Sequence, residues 1–250
     1  MKKRYVKVNN SIASTATYIR GGETIVLTIP EEQKPKKELR LKLKVLFEDD
    51  YLAIIHKPAG ILVSGNGFKT ITNALPQNLK PSQLSDAIKP QPVHRLDYET
   101  TGVLLVGKTN ESIRKLNKLF EHKTIKKTYV AVTIGKMNST GIINTEVDSK
   151  SAKSKYTVLQ SVTSKRFEAL NLVELEPETG RKHQLRVHLS SIGNPILGDK
   201  KYGIENLILM KKGLYLYAYK LQFIHPFTQK TLKVKTELPK KFQKIFNSTQ

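Results

Sequence analysis

The sequence predicts an α+β fold: a mixed, largely antiparallel sheet with few helices, and a small β-rich extension at the N-terminus. Three observations predict it. Strand-like apolar stretches outnumber helical ones, hairpin-type turn signals recur between them, and there is no internal repeat or low-complexity tract.

The elements follow in order. Tyr5–Asn9 and Glu23–Ile29 read as half-buried strands, with Gly21-Gly22 as a turn before the second, so residues 1–30 form a small unit. Pro30 to Lys37 is polar and Pro-punctuated, which makes residues 31–40 a linker. The main domain is expected over 41–250. Val45-Leu46-Phe47 and Leu52–His56 are short apolar strands around Glu48-Asp49-Asp50, and Val103–Val106 is another. Over Asn110–Lys123, Ile113, Leu116, Leu119 and Phe120 share one face of a helix, with Thr109 or Asn110 as N-cap. Its other face carries Arg114, Lys115, Lys118 and Lys123. Tyr129–Ile134 is a strand with Val130, Val132 and Ile134 on one face and Tyr129, Ala131 and Thr133 on the other. Thr179 is the expected cap of a helix from Gly180 to Ser191, stopped by Gly193 and Pro195. A closing hairpin joins Tyr215–Ile224 to Thr231–Lys235.

Composition points to the partner. The 250 residues carry 43 Lys plus Arg against 21 Asp plus Glu, a formal net charge of +22. Such a balance in a folded chain suits a polyanion, without separating DNA from RNA. Membrane attachment is disfavoured, since no run of 18 apolar residues and no N-terminal apolar signal core appear. The absence of Cys removes disulfides and thiolate metal sites and suits a reducing cytoplasm.

Chemistry concentrates in two segments. His94-Arg95-Leu96-Asp97, followed by Tyr98-Glu99-Thr100-Thr101-Gly102, sets a carboxylate beside two basic groups just ahead of a strand. Asp97 has the chemistry of a nucleophile, an acid/base or a metal ligand, or of a plain turn aspartate. A metal site needs several donors at short spacing, and only His94 and Glu99 lie near, so no metal is expected. The second segment is Thr179-Gly180-Arg181-Lys182-His183-Gln184-Leu185-Arg186-Val187-His188.

Together these segments resemble the signature of the RluA family of pseudouridine synthases. Lys127–Ala131 resembles that family's Lys-x-Tyr-x-Ala segment, and Lys57-Pro58-Ala59-Gly60 with Ile61–Val63 its first motif, an architectural corner. Gly193–Asp199 and Ala218–Pro226 are similar to its later segments, so the resemblance spans about Leu41 to Pro239. Thr101 stands where the family usually has Ser, and the hydroxyl is kept. Residues 1–30 resemble the tail half of a small ribosomal-protein-type RNA-binding module without its leading helices.

The resemblance implies an isomerase, a catalytic domain of pseudouridine synthase type that converts uridine to pseudouridine in ribosomal or transfer RNA. It implies no metal and no organic cofactor, a cytoplasmic monomer and no membrane. Asp97 would act on the uridine by covalent attack or by triggering glycosidic cleavage. Arg186 would hold Asp97 bidentately and keep it ionised. Tyr129 would stack under a flipped uracil and serve in removing the C5 proton. Arg95 would fill the space the base leaves, and Leu185 would supply an apolar pocket wall. Arg181, with Lys182 and His183 at a helix N-terminus, would make phosphate or structural contacts; His94 has no chemical role. Two rivals are an RNA-binding or ribosome-assembly factor without catalysis and a nuclease or methyltransferase. Intact Asp97, Tyr129 and Arg186 argue against the first. The second lacks a Gly-x-Gly-x-x-Gly cofactor loop or clustered carboxylates.

Overall fold

A computed structural model describes residues 4–28, 39–209 and 212–246. The chain divides into two compact units, Met1–Lys37 and Glu38–Gln250. The expected linker lies outside the described residues except for Leu39 and Arg40.

In the first unit β1 (Val6–Val8) pairs antiparallel with β2 (Ser11–Ile12) and β3 (Ile25–Leu27). Asn9 and Asn10, both at positive φ (46° and 65°), make the tight β1–β2 turn, a conformation Asn tolerates better than most residues. The half-buried pattern expected for the second strand is not found: Ile25, Val26 and Leu27 are all exposed. Three strands this short have little with which to cover their own faces.

The second unit is built on one ten-stranded sheet. In chain order its elements are β4 (Lys44–Glu48), β5 (Leu52–Lys57), α1 (Ile71–Ala74), β6 (Ala87–Pro92), β7 (Thr101–Thr109), α2 (Asn110–Glu121), β8 (Lys126–Ile134) and β9 (Thr140–Ile143). There follow β10 (Ser154–Ser164), β11 (Glu168–Pro177), α3 (Gln184–Ser191), β12 (Leu216–Ile224), β13 (Thr231–Lys235) and α4 (Lys240–Phe246). The strand order is β4-β5-β7-β12-β8-β11-β10-β9, with β6 on β7 and β13 on β12. Every pairing between these strands is antiparallel except β7 with β12, which run parallel through Tyr217↔Thr101 and Ala218↔Gly102. This is the mixed, largely antiparallel sheet that the sequence predicts.

Alternation explains how the sheet is covered. On β5 and β7, Ala53, Ile55, Leu104 and Val106 face Ile71, Ala74 and Leu75. The alternate set, Leu52, Ile54, Val103 and Leu105, packs with Leu116 of α2. Thr109 and Ser112 form a reciprocal capping box that starts α2 where the sequence placed its cap. On the far half of the sheet, β8, β11 and β12 pack with Leu185 and Leu189 of α3 and Phe242 and Phe246 of α4.

Two expectations change here. β8 is buried on both faces from Val130 to Ile134, because β8 is a central strand between β11 and β12 and both faces are covered. The third helix begins at Gln184, not Gly180. Thr179 instead holds the preceding turn: its hydroxyl donates to Gln184 Oε1 (2.7 Å) and accepts from Lys153 N–H (3.0 Å). Among the described residues no helix is long and apolar enough to cross a membrane.

Candidate active site

The sheet's single parallel seam fixes the first half of the site. Gly102, at φ +120°, lies against Ala218, and a Cβ there would overlap the Ala218 carbonyl and stand 2.8 Å from its backbone N. Glycine is therefore required for β7 to approach β12 this closely. In the same register Ala218 pairs with Tyr129 on its other side. The loop that delivers Asp97 into β7 is thus brought to the strand that carries Tyr129.

That loop is held from below by Lys57. The side chain is 0% exposed, and its Nζ donates to the carbonyls of Pro58 (3.0 Å), Tyr98 (3.3 Å) and Thr100 (2.9 Å). Burial lowers its pKa to about 8, although the charge of Asp97 works the other way. Thr100 N–H closes the turn onto the Asp97 carbonyl at 3.1 Å. His94 accepts a hydrogen bond from Leu105 N–H at its Nε2 (3.0 Å). Burial, aided by the Lys127 charge, pushes its pKa down to about 3, so it is a neutral imidazole that fastens the segment to β7.

The second half of the site comes from the turn before α3. Gln184 is the knot: its Oε1 accepts from Thr179 Oγ1 and Arg181 N–H (3.0 Å), and its Nε2 donates to Lys153 O (3.0 Å) and Ser154 Oγ (2.9 Å). His188 continues the network, with Nε2 2.8 Å from the Thr145 carbonyl and Nδ1 3.0 Å from Ser154 Oγ. A carbonyl only accepts, so the proton is on Nε2 and Ser154 donates to Nδ1.

These halves bring Asp97, Tyr129, Arg186, Leu185, Arg95 and Arg181 around one cleft of about 1060 Å³. The Asp97 side chain is 20% exposed against 6% for Arg186, so the carboxylate is the reachable member of the pair. Leu185 and Leu216 supply apolar wall, and Lys123, Lys126, Lys127, Lys155 and Lys182 line the cleft as cations. Arg95 is exposed at its edge. Arg181 sits in the turn, not on the helix, with its Nε donating to the Ser151 carbonyl (3.1 Å).

The expected Arg186–Asp97 fork is corrected by the geometry. Arg186 gives its two parallel hydrogen bonds to Asp199, from Nε at 2.7 Å and Nη2 at 2.8 Å. It stands 3.8 Å from Asp97 Oδ2 and 3.8 Å from Glu99 Oε2. Burial alone would lower the guanidinium's pKa; hydrogen bonding and charge from Asp199, with the charges of Asp97 and Glu99, outweigh it and raise the pKa. The Asp199 carboxyl, which burial would raise, is held low by Arg186 and by the backbone N–H groups of Tyr202 and Lys201. Burial and the Asp97 charge raise the Tyr129 hydroxyl, so it keeps its proton through the neutral range.

Sequence reasoning did not find Asp199, Tyr202 or the closeness of His183 to Asp97. Asp199 was visible as the end of a motif-like segment, Gly193–Asp199, with nothing to show that it answers Arg186.

Fold and site together define a cation-lined cleft around a partly exposed carboxylate, and comparison with known proteins gives the class. The family described as RNA pseudouridylate synthase matches residues 51–191. The chain is 34% identical to a ribosomal large subunit pseudouridine synthase D of Nitrosomonas europaea, over 96% of this chain and 75% of that one. It is 33% identical to a ribosomal large subunit pseudouridine synthase C of Pasteurella multocida, over 88% of this chain and 72% of that one. The solved structure of human RNA pseudouridylate synthase domain containing 4 superposes with a TM-score of 0.65 at 30% identity, covering 80% of this chain and 90% of that chain. The chain belongs to the RNA pseudouridine synthase family, of RluA type, and is an isomerase.

Proposed function

We propose that this enzyme isomerises specific uridines of ribosomal RNA through Asp97, with transfer RNA as the second substrate class to test. The observation that carries the catalytic assignment is the placement of Asp97: a partly exposed carboxylate in a cationic cleft, 3.8 Å from a guanidinium whose fork is already occupied. Arg186 therefore supplies positive charge to Asp97 without a close ion pair that would mask it. Electrostatic support at this distance acts in a partly desolvated site, where it counts for more than in water. The names of the similar proteins favour ribosomal RNA.

In this reading the target uridine leaves its stack and enters between Asp97, Tyr129 and Leu185. Arg95, exposed beside Asp97, takes the vacated space in the RNA, and Arg181 contacts phosphate. Asp97 acts on the nucleoside, the freed uracil turns within the pocket, and C5 joins the sugar. Base and sugar stay in one pocket, so no cofactor is needed. Tyr129 stacks under the base; because its hydroxyl keeps its proton, it serves in removing the C5 proton as a relay that gives up its own, the balance being one proton lost from C5 and one gained at N1, the atom released when the N1–C1′ bond broke. Residues 41–250 form the catalytic domain, and the protein works as a cytoplasmic monomer.

Asp97→Asn tests this. The variant should melt within a few degrees of the parent and bind RNA with similar affinity, with turnover lower by many orders of magnitude. Pseudouridine formation by a clean Asp97→Asn preparation would refute the assignment. Carbodiimide mapping of RNA from a deletion strain identifies the uridine, and a lost site in transfer RNA alone would refute the ribosomal reading.

A further inference from the structure

We infer that His183, set by Tyr202, is a positioning residue that orients the carboxylate of Asp97; this rests on the catalytic reading of Asp97 above. His183 Nε2 stands 3.8 Å from Asp97 Oδ1, on the oxygen that Arg186 does not face. Its other ring nitrogen, Nδ1, is 3.0 Å from the Tyr202 hydroxyl, with the two rings edge to face at 5.6 Å. His183 adopts a left-handed backbone (φ 56°, ψ 17°) at the cap of α3, a conformation that His, like Asn and Asp, enters more readily than most side chains do. The Tyr202 hydroxyl at Nδ1 and the edge of its ring hold the imidazole so that Nε2 is turned toward Asp97.

One short loop governs both groups that face Asp97. Asp199 takes the fork of Arg186, while Tyr202 takes Nδ1 of His183 and lays its ring 5.1 Å from the Arg186 guanidinium. The Tyr202 backbone N–H in turn donates to Asp199 Oδ1 at 3.0 Å. When the Tyr202 hydroxyl donates to Nδ1, the ring carries its single proton on Nε2, directed at Asp97. Arg186 spends Nε and Nη2 on Asp199, and the imidazole offers Asp97 a second donor, 3.8 Å from Oδ1. The charged groups around the ring are Asp97, Arg186, Lys182 and Lys201. Burial and the three cations oppose a second proton, and Asp97 alone favours one. The ring stays a neutral donor, which aims Oδ1 without cancelling the carboxylate's charge.

Two measurements on the full chain test this. The first needs no substrate: nitrogen NMR of the histidine rings. The parent should show His183 as the Nε2–H tautomer, Tyr202→Phe should lose that preference, and Asp97→Asn should lower the His183 titration midpoint. The second is turnover, read as tritium release from 5-tritiated uridine in ribosomal and transfer RNA transcripts. Because Asn accepts a left-handed backbone but is too short to reach, His183→Asn should keep its fold and lose about 10²-fold in kcat with KM for RNA unchanged. Tyr202→Phe, which retains the ring beside Arg186, should lose kcat in the same direction. An unchanged tautomer in Tyr202→Phe, or an unmoved midpoint in Asp97→Asn, overturns the pairing. Wild-type kcat in both His183→Asn and Tyr202→Phe overturns the positioning role. A parent enzyme inactive on both RNAs counts against the catalytic reading instead, and the ring measurements stand apart from it.

Discussion

Removing the Asp199 carboxylate should both loosen the fold and misplace Arg186. Asp199 is 1% exposed and Arg186 5% exposed, so Asp199→Ala leaves a buried guanidinium without its fork. Breaking a buried ion pair in this way costs about 3–5 kcal/mol. Asp97 and Glu99, each 3.8 Å from Arg186, offset part of the loss and favour the lower end of that range. At roughly 2–4 °C per kcal/mol for a chain of this size, about 3 kcal/mol corresponds to a melting temperature lower by about 6–12 °C. Asp199→Asn should fall between parent and Ala, because its amide oxygen still accepts from Lys201 and Tyr202 N–H while the charge is gone. The sign with pH is also fixed. The folded Asp199 pKa lies below its usual 3.8, so its stabilisation is complete above that value and is lost as pH falls through the lower, folded one. Circular dichroism melts of parent and Asn variant should therefore differ most at neutral pH and converge below about pH 4. A freed Arg186 can close on Asp97, so kcat should fall as well. An Asp199→Ala protein melting within about 2 °C of the parent would refute the ion-pair accounting.

Three further outcomes are expected. Gly102→Ala, which forces a Cβ onto the Ala218 carbonyl at φ +120°, should cost about 3–5 kcal/mol and depress turnover by shifting the Asp97 loop; a chemical denaturation midpoint like the parent's would refute it. Tyr129→Phe should bind RNA like the parent and turn over about 10²–10⁴-fold more slowly, whereas Tyr129→Ala should also lose about 1–3 kcal/mol of binding; fluorescence anisotropy and tritium release separate the two. Lys57, with its folded pKa down near 8 against 10.5 unfolded, binds fewer protons when folded between those values. Parent stability relative to Lys57→Met should thus rise as pH goes from 8 toward 10, and a flat difference in melting temperature would sink that reading.

What was legible in the sequence was set locally. Short apolar runs identified β5 and β7, two-residue alternation identified β8, and the spacing of Ile113, Leu116 and Leu119 behind Thr109 gave α2 with its cap. β10 and β11 were not read. β11 (Glu-Ala-Leu-Asn-Leu-Val-Glu-Leu-Glu-Pro) is rich in helix formers, and its strand state comes from pairing with β8 and β10, context that overrides propensity. Asp97, Tyr129 and Arg186 stood out because their short motifs keep side-chain chemistry and local backbone together. Their convergence on one cleft depends on the parallel β7–β12 seam and on pairings between distant strands, which no local pattern encodes. Which carboxylate takes the Arg186 fork was likewise beyond the sequence. Asp97, Glu99 and Asp199 are equivalent there, and only the burial of Asp199, with two backbone N–H groups aimed at it, decides among them. The sequence by itself determined strands such as β5, β7 and β8, the α2 cap and the identity of the chemical groups, because these follow from local pattern and from side-chain type. The tertiary structure alone decided the distances and partners, because a 3.8 Å stand-off between Asp97 and its two neighbours is the resultant of forces from loops far apart in the chain.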